Sequence, residues 1–149
     1  MRHRRHYTLQ QAVAVRGWVA ERVRWVRVAR ARLVALGPQA ADAIAALDLA
    51  SGGAYPGRDV AQSLVELSRA AGELEAVDIV LRDIDRGLID FPAIKPDGSG
   101  AAHDCGGVGC PALGMPEGAE IYLCWLIDEE ESIGFWHEPD AGFAGRRPL

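Results

Sequence analysis

The sequence has no long uncharged hydrophobic run. A signal peptide needs an apolar stretch of roughly 7–15 residues, and a transmembrane helix needs about 20. Arg16 interrupts the first apolar segment, and Arg22, Arg24 and Arg27 break up the next one. We therefore expect neither a targeting segment nor a membrane span, and we predict a cytoplasmic protein.

Cysteine and lysine are also scarce. The 149 residues include three cysteines and one lysine, Lys95, against fifteen arginines. An odd number of cysteines argues against the disulfide framework of a small secreted protein. Hydrophobic residues make up 49% and charged residues 25%, which excludes an intrinsically disordered chain. We expect residues 1–149 to form one domain with its own hydrophobic core.

The net charge of −5 is divided unevenly along the chain. Residues 1–36 carry nine arginines and one acid, whereas residues 37–149 carry seven basic and twenty acidic residues. Basic segments can contact phosphates, but the acidic remainder and the absence of a nucleic-acid motif disfavour that partner. We interpret the two segments as complementary parts of one folded unit. Residues 1–6 are predicted to be a disordered basic arm, and weak nucleic-acid binding through this arm is the third function hypothesis.

The first half of the chain has a helical pattern over residues 8–75. Thr8 and Gln11 form a capping box at the start of the first helix, and Gly37-Pro38 is a stop signal after Leu36. A second helix begins near Arg58. Stripes that step by four and three residues predict an antiparallel helical hairpin. The stripes are Val15, Val19, Arg22, Val26, Ala29, Leu33 and Leu36 in the first helix, and Val60, Leu64, Leu67, Ala71 and Leu74 in the second.

Arg22 lies in the middle of the first stripe. A buried guanidinium needs a partner, because an isolated charge in a core is costly. Antiparallel pairing brings Arg22 close to Ala71–Leu74, so Glu73 is its first predicted ion-pair partner and Glu66 its second.

Residues 77–149 are predicted to form the β part, with a glycine- and proline-rich loop at 95–119. Residues 77–82 fit either a strand, which we favour, or the end of the helix. The fold class is therefore α+β: a long antiparallel helical hairpin packed on a small antiparallel sheet of about four strands. The predicted strands are Val77–Leu81, Leu88–Ile94, Ile121–Ile127 and Ser132–Glu138.

The last two predicted strands are apolar on both faces, so both faces should be covered. The helices can cover one face, and the loop, the C-terminal tail or a second subunit must cover the other. Exposed apolar faces usually mark an interface. We therefore predict a homo-oligomer, most simply a dimer.

Several segments resemble the domain-of-unknown-function family numbered 2203. They are Tyr7-Thr8-Leu9, Gly87–Pro92, Ile121–Trp125, Ile133–Glu138 and Asp140–Arg146. The resemblance implies a small prokaryotic protein and supplies no established activity. This chain departs from the family pattern in its basic arm and in residues 95–119, where a short turn is expected.

Five ionisable residues fall near the predicted strand ends. Histidine can act as an acid, a base or a ligand, carboxylates with a histidine can hold a divalent metal, and arginine can clamp an anion. We favour a structural interpretation, in which the aspartate caps a turn, the histidine donates to a carboxylate and the arginine holds the tail. The candidate residues are Asp90, His137, Glu138, Asp140 and Arg146.

A second candidate site is formed by His103, Cys105 and Cys110 in the loop. Cysteine and histidine at this spacing can bind zinc, with Cys124 or His137 as a fourth ligand. The alternatives are a disulfide between Cys105 and Cys110, or free thiols. Cys124 itself is predicted to be a buried, inert thiol.

No Walker loop, dinucleotide fingerprint, nucleophile elbow or zincin motif occurs, so the sequence leaves open whether the protein is an enzyme. It favours a non-catalytic, self-associating binding or scaffold domain. The alternative is a small metal-assisted hydrolase that uses His137 with Asp90 or Glu138, and Arg146 as an anion clamp. Zinc or another divalent metal is the candidate cofactor, and no small-molecule ligand can be named.

Overall fold

The computed structural model describes residues 2–45, 57–95, 118–128 and 132–149. Its architecture is α+β, with a helical hairpin packed on a five-stranded antiparallel sheet of order β1-β2-β3-β4-β5. The predicted fold class is confirmed, and the tail adds a short fifth strand. The elements are α1 Leu9–Ala45, α2 Gly57–Glu75, β1 Val80–Asp83, β2 Leu88–Ile94, β3 Glu120–Leu126, β4 Phe135–His137 and β5 Arg147–Pro148.

Helix α1 begins with the predicted capping box. The Thr8 N–H donates to Gln11 Oε1 at 3.0 Å, and the Gln11 N–H donates to Thr8 Oγ1 at 3.2 Å. The predicted end at Gly37-Pro38 is wrong, because α1 continues to Ala45 with Pro38 inside it. Proline has a φ that suits a helix, so its main cost is one missing N–H and local crowding of the preceding turn.

The packing of α2 departs from the predicted stripe around Leu64. Val19, Val26 and Ala29 of α1 and Leu74 of α2 are buried as expected, but the buried residues of α2 also include Ser63 and Ala70. Leu64 is 49% exposed, so the predicted α2 stripe is wrong at this position. Small side chains such as Ser63 and Ala70 allow helices to approach closely. A prediction based on hydropathy alone favours large apolar residues at such contacts instead.

Helix α2 ends in a turn that delays the first strand. The Ile79 N–H donates to the Leu74 carbonyl at 3.0 Å, and the Asp78 N–H donates to the Glu75 carbonyl at 2.9 Å. With Asp78 at φ +60°, this is a Schellman motif. The helix end therefore uses residues 76–79, and β1 starts at Val80 rather than at Val77.

The sheet has two faces with different coverings. Alternate residues of a strand point to opposite sides. The inner face joins α1 in the main hydrophobic core, and the outer face meets the N-terminal arm and the C-terminal tail. Inner-face residues of the core include Ile89, Phe91, Leu123, Trp125 and Trp136; the outer face carries Asp90, Pro92, Tyr122, Cys124 and His137.

Arginines of α1 contact the turn between β1 and β2. Arg27 donates through Nε to the Ile84 carbonyl and through Nη2 to the Asp85 carbonyl, both at 2.8 Å, and Arg30 pairs with the Asp85 carboxylate. At Gly87, with φ +65°, a Cβ would lie 2.6 Å from Arg27 Nη2. The turn therefore requires glycine where the guanidinium crosses it.

We predict that Val26→Ala lowers the free energy of unfolding by about 2 kcal/mol, because Val26 is 1% exposed. Val34→Ala is the matched control, since Val34 is 69% exposed and its truncation should change stability by less than about 0.5 kcal/mol. Urea unfolding measures both. Equal effects would contradict the assigned inner side of α1.

Candidate functional site

A buried polar cluster lies on the outer face of the sheet. In the strand register Asp90 is opposite Cys124, and Tyr122 is opposite His137, so all four side chains point to this face. Asp90 is 0% exposed and His137 is 1% exposed. Asp90 Oδ1 lies 3.1 Å from His137 Nε2, so the pair spans the intervening strand β3.

The contacts of His137 define its protonation. Its Nδ1 lies 2.7 Å from the Glu138 carbonyl oxygen. A carbonyl only accepts, so Nδ1 carries a hydrogen and Nε2 faces Asp90. Burial lowers the pKa of His137, but the hydrogen bonds to Asp90 and to the Glu138 carbonyl outweigh it and raise the pKa above its usual value.

Arg82 completes the pairing of Asp90. Its Nε donates to Asp90 Oδ2 at 2.7 Å, and its guanidinium lies 4.9 Å from the centre of the Tyr122 ring. Burial lowers the pKa of Arg82, but the Asp90 carboxylate outweighs it and raises the pKa above its usual value. Both oxygens of the buried carboxylate are therefore bonded to cationic or hydrogen-donating partners.

The N-terminal arm, residues 2–6, lies against this face, so the prediction of a disordered arm is wrong. Glu120 accepts the backbone N–H of Arg2 at 2.6 Å and that of His3 at 3.1 Å. The ring of His3 bonds through Nε2 to the Tyr122 hydroxyl at 2.8 Å. His6 Nε2 lies 3.1 Å from Glu120 Oε1. Glu120, which is 114 to 118 residues away in sequence, therefore holds the arm together with Asp78, and local pattern does not reveal such pairing.

Two of the five predicted site residues belong to this cluster, namely Asp90 and His137. Glu138 contributes its backbone carbonyl, while its carboxylate lies 3.4 Å from Arg147. Asp140 pairs with Arg2 at 2.8 Å on the surface.

The predicted anion clamp, Arg146, stacks on aromatic rings. Its guanidinium lies 4.3 Å from the centre of the Phe135 ring and 4.1 Å from that of Phe143. Cation–π contacts of this length pack the tail against β4. The structure therefore places Arg146 in the contact between the tail and the outer face.

Arg22 and Glu73 are brought together between the helices. Arg22 Nε donates to Glu73 Oε2 at 3.0 Å, and its guanidinium lies 4.2 Å from the ring centre of Trp18 and 5.1 Å from that of Trp25. Hydrogen bonds from Arg69 and Arg22 lower the pKa of Glu73.

Residues His103, Cys105 and Cys110 lie outside the described part of the chain. Sequence reasoning missed Arg82 and Tyr122. It offered Cys124 as a fourth zinc ligand of the loop site and favoured a buried, inert thiol. Among residues 2–45, 57–95, 118–128 and 132–149, the group with metal-ligand spacing is Asp90, Cys124 and His137. Cys124 of β3 lies between Asp90 of β2 and His137 of β4 in the sheet. This proximity can be recognised only when the three strands are aligned.

The profile of a family described as an uncharacterized conserved protein, DUF2203, matches residues 5–100 and 113–149. The chain belongs to this DUF2203 family. Asp90, Cys124 and His137 fall inside the matched segments, whereas the loop residues His103, Cys105 and Cys110 fall between them. Comparison with curated proteins and with solved structures finds no match to the chain.

We predict that Asp90→Asn destabilises the protein by about 3 kcal/mol, because His137 and Arg82 both lose the carboxylate in a buried site. The matched control is Asp85→Asn, which removes an exposed ion pair with Arg30 and should cost less than about 1 kcal/mol. Denaturant titration gives both values. A similar small loss for both variants would rule out a structural role for the Asp90 network.

The docked arm should be sensitive to acid. Burial raises the pKa of Glu120, but hydrogen bonds from Arg2, His6 and His3 outweigh it and lower the pKa below 4.5. A depressed carboxyl pKa stabilises the docked state above pH 4.5, and this contribution disappears as the pH falls through the folded pKa. NMR signals of the Arg2 and His3 amides should report release of the arm on acidification.

Glu120→Gln should release the arm already at neutral pH, whereas Glu138→Gln, which touches Arg147 only at 3.4 Å, should leave the acid transition intact. An arm that stays docked in Glu120→Gln would contradict the assignment of Glu120 as its anchor.

Proposed function

We propose that the protein is a non-catalytic, self-associating binding domain in which a second copy docks on the outer surface of the helical hairpin. The supporting observation is a groove lined by the apolar side chains Trp25 and Val28, which are 43% and 49% exposed; Val65 of α2 is also exposed, at 67%. Exposed apolar patches rimmed by charge are typical of protein interfaces.

The charges around this patch favour a second copy as its occupant. A groove there is lined by Trp25, Val28, Arg32, Glu66 and Arg69. In a twofold interface the same surface meets itself. The groove carries both signs of charge, so a twofold-related copy can extend the Arg32–Glu66 pair of each chain across the axis while tryptophan is buried in the centre.

The outer face of the sheet gives less support to a dimer than the helices do. The arm contacts Tyr122 on this face. Arg146 of the tail stacks on Phe135 of β4 and on Phe143 of the tail. Much of the surface that the strand pattern left for a partner is therefore taken by the chain's own termini.

The two alternatives also have less support. A hydrolase needs His137 within reach of a substrate, but this side chain is buried and bonded to Asp90. Nucleic-acid binding through the arm needs arginines that can reach phosphates, whereas Glu120 accepts the backbone N–H of Arg2 and Asp140 pairs with its side chain. No helix among the described residues combines the length and hydropathy required to cross a bilayer.

Light scattering after size exclusion tests self-association. We expect the wild-type chain of 16.0 kDa to run as a dimer at micromolar concentration, and Trp25→Glu to be monomeric because a carboxylate is placed in the centre of the contact. Val13→Glu is the control, since Val13 is also exposed on α1 but is not a lining residue of the groove.

Thermal melts must show that Trp25→Glu is folded, because Trp25 also stacks with Arg22. Glu66→Arg provides a second variant that changes the rim and leaves the tryptophan in place. A monomeric wild type, or folded Trp25→Glu and Glu66→Arg chains that both remain dimers, would refute the proposed surface.

A further inference from the structure

We propose that Asp90, Cys124 and His137 form a binding site for one divalent transition-metal ion of the zinc class. A carboxylate oxygen, a thiol sulfur and a ring nitrogen from three adjacent strands all lie within 4.8 Å of one another, and all three residues are buried. This site differs from the loop residues that the sequence suggested, and it is independent of self-association.

The distances suit a tetrahedral ion after a small adjustment. Bonds of about 2.0–2.1 Å to nitrogen and oxygen place these two atoms about 3.3 Å apart, and Asp90 Oδ1 lies 3.1 Å from His137 Nε2. A sulfur bonded at about 2.3 Å lies about 3.6 Å from the other ligands. All three ligand atoms lie within 4.8 Å of one another, so Cys124 Sγ needs to approach by at most about 1 Å, a movement that side-chain rotation can supply.

The surrounding contacts orient the ligands as metal sites require. A metal-binding histidine usually donates its second ring N–H to a carbonyl or carboxylate, and His137 Nδ1 bonds to the Glu138 carbonyl at 2.7 Å. That bond directs Nε2 into the site. Arg82 holds Asp90 Oδ2 at 2.7 Å, which leaves Oδ1 as the ligand atom.

The charge balance favours exchange of a metal ion for protons. Without metal, the site holds one proton between His137 Nε2 and Asp90 Oδ1 and one on the Cys124 thiol. Binding of a divalent ion forms three metal–ligand bonds and releases both protons to solvent. The net charge of the buried site is unchanged, so binding avoids the large cost of adding charge to a low-dielectric interior.

The ligand types select the metal. Thiolate and imidazole favour zinc or cobalt(II) over magnesium and calcium, which prefer oxygen ligands. Three protein ligands leave a fourth position for water or an anion. The N-terminal arm contacts the neighbouring Tyr122 through His3, so lifting of the arm offers a route of entry.

Cobalt(II) titration of the full chain carrying Cys105→Ser and Cys110→Ser tests this site, because Cys124 is then the only thiol. We expect one cobalt per chain, a thiolate-to-cobalt charge-transfer band, and release of about two protons per ion in calorimetry across buffers. Adding Cys124→Ser should remove the band and weaken binding by about 100-fold or more. Excess magnesium should not compete.

Thermal melts of the metal-free variants establish that they fold, and His137→Gln provides a second variant that keeps the thiol. The proposal is overturned if the chain with Cys124 as its only thiol shows no charge-transfer band. It is also overturned if binding survives both Cys124→Ser and His137→Gln unchanged. A band that appears only when Cys105 and Cys110 are present would assign the metal to the loop instead.

Discussion

The buried carboxylate of Asp90 is the constraint on which the sheet depends. A charge with no exposure to solvent must be paired, and Asp90 bonds to Arg82 from β1 and to His137 from β4. These contacts tie together four strands, because His137 reaches Asp90 across β3. A slip of one residue in β2 would move the carboxylate to the inner face against α1, so the same pairing that satisfies the charge also fixes the strand register.

The uneven charge along the sequence is largely resolved inside the fold. Arginines of α1 contact the β1–β2 turn and α2, as Arg30 does with Asp85 and Arg32 with Glu66. The arm is held by the acids Asp78 and Glu120. Most of these pairs are exposed and each contributes little to stability, but together they determine which surfaces of the helices and the sheet meet. Charge separation in the sequence therefore corresponds to complementarity in space.

Local and periodic signals made the helices, the capping box and most strand positions predictable. Antiparallel alignment of the stripes of the two helices was enough to predict the contact between Arg22 and Glu73, whose Nε and Oε2 atoms are 3.0 Å apart. The predicted helix end at Pro38 and the predicted burial of Leu64 were wrong. Tolerance of a proline within a helix and close approach of two helices both depend on tertiary packing. The position of Cys124 beside Asp90 and the docked arm were missed because both depend on strand alignment and on partners distant in sequence, which no local pattern encodes.

Burial of the Asp90–His137 pair has opposite consequences for the two chemistries that its residue types suggest. Acid–base catalysis requires that a substrate reach Nε2, and the His137 side chain is only 1% exposed. Metal binding instead benefits from the same enclosure, because His137 is already oriented by the Glu138 carbonyl and Asp90 by Arg82. Cys124 adds a third potential ligand atom within 4.8 Å of the other two, and a divalent ion can displace the proton of such a thiol.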